Sequence, residues 1–520
     1  MKRKLLAAIS ATLMAMVMTV GLAQSDEDAA RRGGVLNVAY ETEPVTLDMM
    51  YTTTTDTLFR MTHAFEGLFT YNEGYQIVPM LVDTYQLSED GTVYTLTLRQ
   101  GITFHDGSPL TSADAVASVL RYTQMTSTGR EVRPHLASVD VVDDLTFTIT
   151  LTQPFGGLLA ALAYRQAIVL PAAVIEEVGT DQIRAAQAIG TGPYEFVEWL
   201  PDQYMRFKRF EGYVARDEEP SGYGGGKKAY VDEIVIYTVP DPSSRLFGLM
   251  TGDYHFAELI SADDLSTLND EPELEAVIIS PDRDVTLFPN MHRSPTDNPL
   301  VRRAMKVALD FDELLMAGWS DPELHLANGG MYTPNNAWFT AIGTQDYNVK
   351  DQELARELLA QAGYDGEPLV MLIPTDRADY YQAMLVAIQQ LEAVGFVIDP
   401  HFTDFTTVQT LRSDPTAHHI WLSGPTFRPE PTTLLHLHCD WPGTGVGWCN
   451  PEKEELLVAL GREADFEKRF AIWEELNRVA GEDTPFIKLG DTFRLSGKLA
   501  DLGGFTPMAI RYFWNVWLPN

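Results

Sequence analysis

Cysteine is nearly absent from this chain of 520 residues: Cys439 and Cys449 are its only two, both inside CDWPGTGVGWCN. A pair closing so short a Gly- and Pro-bearing loop reads most simply as a local disulfide in an exported protein, with two reduced thiols as the alternative. Such a closure contributes roughly 2 to 3 kcal/mol at most. Bases are also scarce, 38 against 73 acids for a net charge of −35, and a surface of that sign repels nucleic acid and anionic lipid. Long apolar runs are missing except one. Leu5 to Val20 follows Lys2, Arg3 and Lys4 and precedes Gly21-Leu22-Ala23, the pattern of a secretory signal peptide over residues 1–24 rather than a membrane anchor. With no cysteine near that cleavage site a lipid anchor is not expected, and a free periplasmic protein exported through the Sec pathway fits best. Removing the leader deletes three bases and no acid, which takes the charge from −35 to −38. Catalytic signatures are missing too: there is no nucleophile elbow, HExxH, CxxC or paired-carboxylate motif, so no enzyme activity is expected. SGYGGGKKAY is not a Walker A motif, because Ser221 and Lys228 stand where Gly and Ser or Thr are required; it reads as a flexible glycine turn.

What is present is a chain that is 45% hydrophobic and 10% aromatic, enough for large cores in two or three domains. The clearest stretch runs from Tyr94 to Arg121. Tyr94, Leu96 and Leu98 alternate with threonines as a half-buried strand does, and Ile102 and Phe104 extend a second short strand up to His105-Asp106-Gly107-Ser108-Pro109. Thr111 with Asp114 three residues on is a capping-box start, and Val116, Val119, Leu120 and Thr123 share a helical stripe. Elsewhere the patterns predict a strand over 34–40, a hairpin around Asp143-Asp144, a strand over 230–239 and a helix from Pro242 to Gly252. Asn298-Pro299 starts a helix, another ends at Gly363, and strand 369–373 leads through the polar loop PTDRADYY to a helix over 382–394.

The segment LRQGITFHDGSPLTSADAV closely resembles the signature of the peptide- and nickel-type solute-binding proteins of ABC transporters. Gly190-Thr191-Gly192-Pro193-Tyr194, Asn298 to Ala304 and Leu354 to Tyr364 resemble further pieces of that family, in its order. The resemblance implies an α/β, two-lobed periplasmic-binding-protein fold of type II with the extra subdomain of peptide-binding members. It places lobe I at 25–283, lobe II at 284–492 and a return to lobe I at 493–520. Two crossover strands near Asp282–Met291 and Phe486–Leu495 would join the lobes as a hinge. The implied function is the periplasmic component of an importer, a monomer that captures a small solute between its lobes and delivers it to inner-membrane permease subunits, without a cofactor. A nickel or metal-chelate binder, or a chemoreceptor component, is the alternative.

Candidate ligand residues follow from the same resemblance. The first ligand-facing loop offers Glu43, Tyr51 and Thr53, whereas His63 to Phe69 reads as core. Asn290 and His292 lie near the crossover, Trp319 and Trp338 in a turn-rich segment, and Asp376, Arg377 and Tyr380 after a lobe II strand. In WLSGPTFRPEPTTLL, from Trp421 to Leu435, peptide binders carry an aromatic and then an Asp that grips the ligand's amine. Aligned on Glu430-Pro431-Thr432, this chain has Phe427 and Arg428 there instead. A guanidinium favours carboxylate or phosphate, and an amine needs a carboxylate, so Arg428 and Arg377 point to an anionic, peptide-like or opine-like solute without an essential α-amine. His436 and His438 would share one face of a strand beside Cys439, the only metal-like grouping.

Overall fold

The computed structural model describes residues 30–519 except 426, 440, 442–443 and 445–446. The signal-peptide segment 1–24 lies outside the described residues.

One mixed sheet runs through the molecule. Its strands, in spatial order, are Ile398–Thr403, Leu369–Pro374, Ile420–Ser423, Leu274–Pro289, Ile487–Leu499, Phe256–Ala257, Val35–Tyr40, Glu233–Thr238, Tyr204–Arg209 and Tyr194–Leu200, with His325–Leu326 paired onto Ile487–Leu499. The two long strands in the middle are the crossovers. They pair antiparallel from Leu274 opposite Leu499 to Ile279 opposite Arg494, slip, and resume from Arg283 opposite Thr492 to Leu287 opposite Ile487. A slip of this kind is a bulge, which bends a ladder and raises its twist. The core divides at the same place. Ile279 packs with residues 36–277 and 502–516, whereas Val285 packs with Leu287 and a second core reaching Leu489. A third, aromatic core gathers Trp338, Trp448 and Trp473 under the helices Pro451–Arg462 and Phe466–Asp483. The C-terminal return packs on the first core through Tyr512, Phe513 and Trp514.

Local signals explain most elements. Helix Ser112–Met125 starts where the Asp114 carboxylate accepts from both the N–H and the hydroxyl of Thr111, at 2.8 and 2.7 Å. Helix Pro299–Ala308 carries proline in its first turn behind the cap Asn298, and helix Gln352–Ala362 ends on Gly363 in the left-handed region. Strands Val82–Leu87, Val93–Leu98, Thr146–Leu151 and Leu136–Val141 form a separate four-stranded antiparallel sheet, covered by helix Ser112–Met125.

Several expectations are corrected. Ile102 to Phe104 is not a strand: Phe104 N–H donates to Ser108 and Leu110 N–H to Ile102, so the segment satisfies itself as a tight turn. The buried stripe of helix Ser112–Met125 is Ala115, Ser118, Val119 and Tyr122, with Leu120 exposed. The lobe II helix begins at Ala378, so the second half of the polar loop is its first turn. His436 lies in a 3-10 turn, not a strand, because Leu437 and His438 N–H groups bond back to Leu434 and Leu435. Cys439 and Cys449 are bonded as a disulfide.

Beneath the first loop, Asp48 and Arg121 form a fully buried pair at 2.6 Å, and Asp48 also accepts from Ile183 N–H. Removing one partner strands the other charge in the core. Asp48→Ala should therefore cost about 3 to 5 kcal/mol in urea unfolding, and a loss below about 1 kcal/mol would show the pair behaving as a surface contact.

Candidate functional site

Between the first core and the aromatic core lies a cavity of about 200 Å³. Lobe I, the crossovers, the 427–429 segment and the C-terminal return all supply walls, including Glu66, Tyr75, Arg165, Lys227, Asp282, Arg283, Phe427, Arg494 and Arg511.

The lobe I wall is built by the resemblance motifs themselves. Gly190 N–H donates to His105 Nδ1 at 3.2 Å, His105 N–H donates to Gly190 at 2.9 Å, and His105 Nε2–H donates to Gly192 at 3.0 Å, which locks GTGPY onto FHDGSP. The two glycines then lie against the chain at 63–64. A Cβ on Gly190 would stand 2.0 Å from Ala64 O, and one on Gly192 would stand 2.5 Å from His63 O, so only glycine permits this approach. Thr191 between them donates to the Glu66 carboxylate at 3.0 Å. Glu66 also accepts from Tyr213 Oη at 2.9 Å and pairs with buried Lys227 at 2.9 Å. GTGPY thus holds Glu66 on the wall, where sequence reading assigned residues 63–69 to the core. The glycine stretch before Lys227 is not a flexible turn either. Gly225 has φ +71°, and a Cβ there would meet Glu219 O at 2.1 Å; the stretch is a packed support that carries a 4% exposed lysine to Glu66.

His63 ties this wall to the C-terminal return. Its Nδ1–H donates to Arg60 O at 2.8 Å and its Nε2 accepts from Phe513 N–H at 3.1 Å, an arrangement open only to the neutral ring. Two residues earlier on the chain, Arg511 pairs with buried Glu258 at 2.9 Å. At the hinge, Asp282 is shared by Arg494 at 2.7 Å and Arg283 at 3.7 Å. Behind Phe427, burial pushes the Asp284 carboxyl up to about 6, with Lys488 pulling the other way.

Of the sequence candidates, Phe427 lines the cavity. Its N–H donates to Asp282 O, and its ring meets Tyr75 at 4.6 Å and Tyr332 at 6.3 Å. Arg428 lines two smaller side cavities flanking that segment. The others lie elsewhere. The Glu43 carboxylate accepts from Trp199 Nε1 and Asp202 N–H; Tyr51 and Thr53 are exposed. Buried Asn290 donates to Pro415 and His418 carbonyls, and His292 Nε2 to Gly447 O. Trp319 packs on Tyr380, Trp338 sits in the aromatic core, and Trp421 stacks on Phe288 at 4.7 Å. Asp376 accepts from Phe405 N–H, while Arg377 pairs with Asp379 at 2.7 Å over the Tyr380 ring. Sequence reading missed Glu66, Arg165, Lys227 and Arg494, which stand far apart along the chain. A buried-lysine signal was available only in the oddity of KK directly after three glycines. Among the described residues no group of three His, Cys, Asp or Glu is placed to hold a metal ion.

The lobes are also joined directly by backbone bonds. Gly156 N–H donates to Gly461 O and Ala337 N–H to Gly74 O, both at 2.8 Å.

Two α/β lobes, two crossover strands and a cavity between them define a type II periplasmic binding protein. The chain belongs to the bacterial extracellular solute-binding proteins, family 5, whose middle-region model matches residues 76–443. It is 29% identical over 479 residues to a probable peptide ABC transporter periplasmic-binding protein, y4tO, of Sinorhizobium fredii, covering 88% of each chain. It is 26% identical over 469 residues to the glutathione-binding protein GsiB of Salmonella paratyphi A, covering 85% of this chain and 86% of that one. Among solved structures it resembles the ABC transporter substrate-binding protein CtaP of Listeria monocytogenes, with a TM-score of 0.81 at 20% identity over 94% of this chain and all of that one. It is therefore a solute-binding component of an ABC importer and not an enzyme. No described helix is long and apolar enough to cross a membrane.

Burial lowers the His63 ring to about 4 and the His436 ring to about 3, from 6.5. A lowered histidine contributes stability above its unfolded value and loses it as pH falls toward the folded one, because only the unfolded chain takes the proton. Asp284, raised toward 6, acts in the opposite sense over the same interval. Burial lowers the His418 ring to about 4 as well, and the three histidines should outweigh the one carboxyl, so the urea midpoint is expected to fall from about pH 6.5 to about pH 4, with the His63 and His436 rings still neutral by NMR at about pH 5. A His63 resonance titrating near 6.5 would refute the assignment.

Proposed function

We propose that this cavity captures a compact, peptide-like, opine-like or otherwise anionic solute as the lobes close on the bulge between residues 279–283 and 492–494, and that the closed form docks on the permease of an ABC importer. The observation that carries this reading is the position of the cavity. Walls from both lobes and the hinge contribute to a space of about 200 Å³, while backbone bonds join the two lobes elsewhere. That volume corresponds to roughly seven waters, room for a small solute and not for a long peptide. The relatives' ligands agree in kind, since one is named for peptides and one for glutathione. Lobe limits of 25–283 and 284–492, with a return at 493–520, follow the division of the cores at Ile279 and Val285. A monomer, exported to the periplasm behind a leader over residues 1–24, is part of the same reading. A net charge of −35 speaks against nucleic acid as a partner.

Gly156 supplies the test of closure. A Cβ there would stand 1.6 Å from Glu463 O on the other lobe, whereas one on Gly461, the partner of the same bond, meets nothing within 4 Å. In a low-molecular-weight filtrate of yeast extract, small-angle scattering should show Gly156→Val less compact than wild type, and Gly461→Ala unchanged. Equal compaction in all three would refute closure at this contact.

A further inference from the structure

Charge pairing on the cavity wall is uneven, and it narrows the chemistry of the solute. Two carboxylates line the wall, and the charge of each is already matched. Glu66 pairs with Lys227 and also accepts from Tyr213 and Thr191, and Asp282 pairs with Arg494 at 2.7 Å and has Arg283 at 3.7 Å. An ammonium group brought against either would find its counter-charge already taken, with little to offset its desolvation. Against them stand five cations: Arg165, Lys227, Arg283, Arg494 and Arg511. Lys227 is matched by Glu66, and Arg511 by Glu258 just outside the wall. The hinge pair shares the single carboxylate of Asp282. Asp284 adds a further acid nearby, but it faces a separate side cavity with Lys488 and Asp491 for neighbours.

Arg165 is the cation left over. It sits in the turn after helix Leu158–Ala163, with no carboxylate within ion-pair distance among the described residues. Its only side-chain hydrogen bond reaches Tyr164 Oη at 3.4 Å, the limit of such a contact, and its Nε has no partner among the described residues. A half-buried guanidinium with most of its donors free is a fork waiting for a carboxylate or another planar oxyanion.

Resting on the reading of this cavity as the solute site, we propose that the solute is an acid whose nitrogen carries no charge, such as an N-acylated amino acid or short N-acylated peptide, and that Arg165 receives its anionic group. Arg283 and Arg494 stand on the opposite, hinge side of the same wall and add to the positive field without a second free carboxylate to attract an ammonium. The site discriminates by both devices: an attractive guanidinium for the acid, and no uncompensated carboxylate for an amine.

Calorimetry with matched probes tests this. N-acetyl-L-glutamate and N-acetyl-L-alanyl-L-glutamate should each bind at least tenfold tighter than L-glutamate and L-alanyl-L-glutamate. Arg165→Gln should weaken the better acetylated probe at least tenfold, Arg165→Lys should recover part of that loss, and Arg377→Gln, whose guanidinium is engaged by Asp379 away from the cavity, should change nothing. Gly156→Val separates the two levels of the argument. If the probes bind but are insensitive to Gly156→Val, the cavity is not the site and the underlying reading fails. If binding needs closure but the free-amine probes match or exceed the acetylated ones, or Arg165→Gln has no effect, or no acetylated probe binds, the assignment of the solute class is overturned.

Discussion

Everything in this molecule depends on one antiparallel ladder, the pairing of Leu274–Pro289 with Ile487–Leu499. Because both strands belong to one continuous sheet, each lobe is completed by chain arriving from the other side of the break. The ladder's larger interruption is where three residues between Ile279 and Arg283 oppose one between Thr492 and Arg494, with a smaller slip between Val285 and Thr286. Backbone hydrogen bonds lost there make it the compliant point, and the cores part at the same residues. The bulge does a second thing. It turns Asp282, Arg283 and Arg494 toward the cavity, so the flexing element carries ligand-facing charge.

Charge makes the location of that positive wall consequential. A chain with 73 acids and 38 bases repels anions at long range. Screening confines that repulsion to about 8 Å at physiological salt, whereas a partly desolvated guanidinium attracts strongly at contact. An anionic solute is therefore slowed in approach and held after arrival. Affinity in such a site is set by the off-rate and by the geometry of the fork, and it should respond weakly to added salt compared with a surface site of equal charge.

How much of this was legible in the sequence depends on how local each cause is. Caps are local: Thr111 with Asp114, Pro299 behind Asn298 and Gly363 each act within a few residues, and those helices stand where the sequence places them. The break between Ile102 and Leu110 is nearly local, but its hydrogen bonds close on themselves, which alternation of apolar residues does not reveal. The cavity is not local at all. Glu66 is held by Thr191, Tyr213 and Lys227, more than a hundred residues away, and nothing in HAFEG distinguishes a buried wall carboxylate from one facing solvent. The two arginines singled out by sequence illustrate the same limit. Arg377 has its counter-ion two residues further on, and Arg428 sits between the wall residues Phe427 and Pro429 while lining the side cavities instead. The absence of the amine-gripping carboxylate is legible because it is a property of the local motif, whereas the cations that line the cavity come from distant parts of the chain.

Linkage between binding and shape follows from where those carriers sit. A solute moves a two-state equilibrium only by its difference in affinity for the two states. Contacts to Arg165 alone, on lobe I, would be made equally in open and closed forms and would leave the hinge unmoved. Arg283 and Arg494 lie on the crossovers and Phe427 on the far side of the break, so contacts with them would exist in full only when the lobes are joined as at Gly156 and Gly461. Moving a hinge from mostly open to mostly closed needs a preference of roughly 5.5 kcal/mol for the closed form. If the proposed roles hold, Arg165 would supply retention and the hinge and lobe II contacts the closing force. A solute that satisfies only the first would occupy the protein without producing the shape a permease reads.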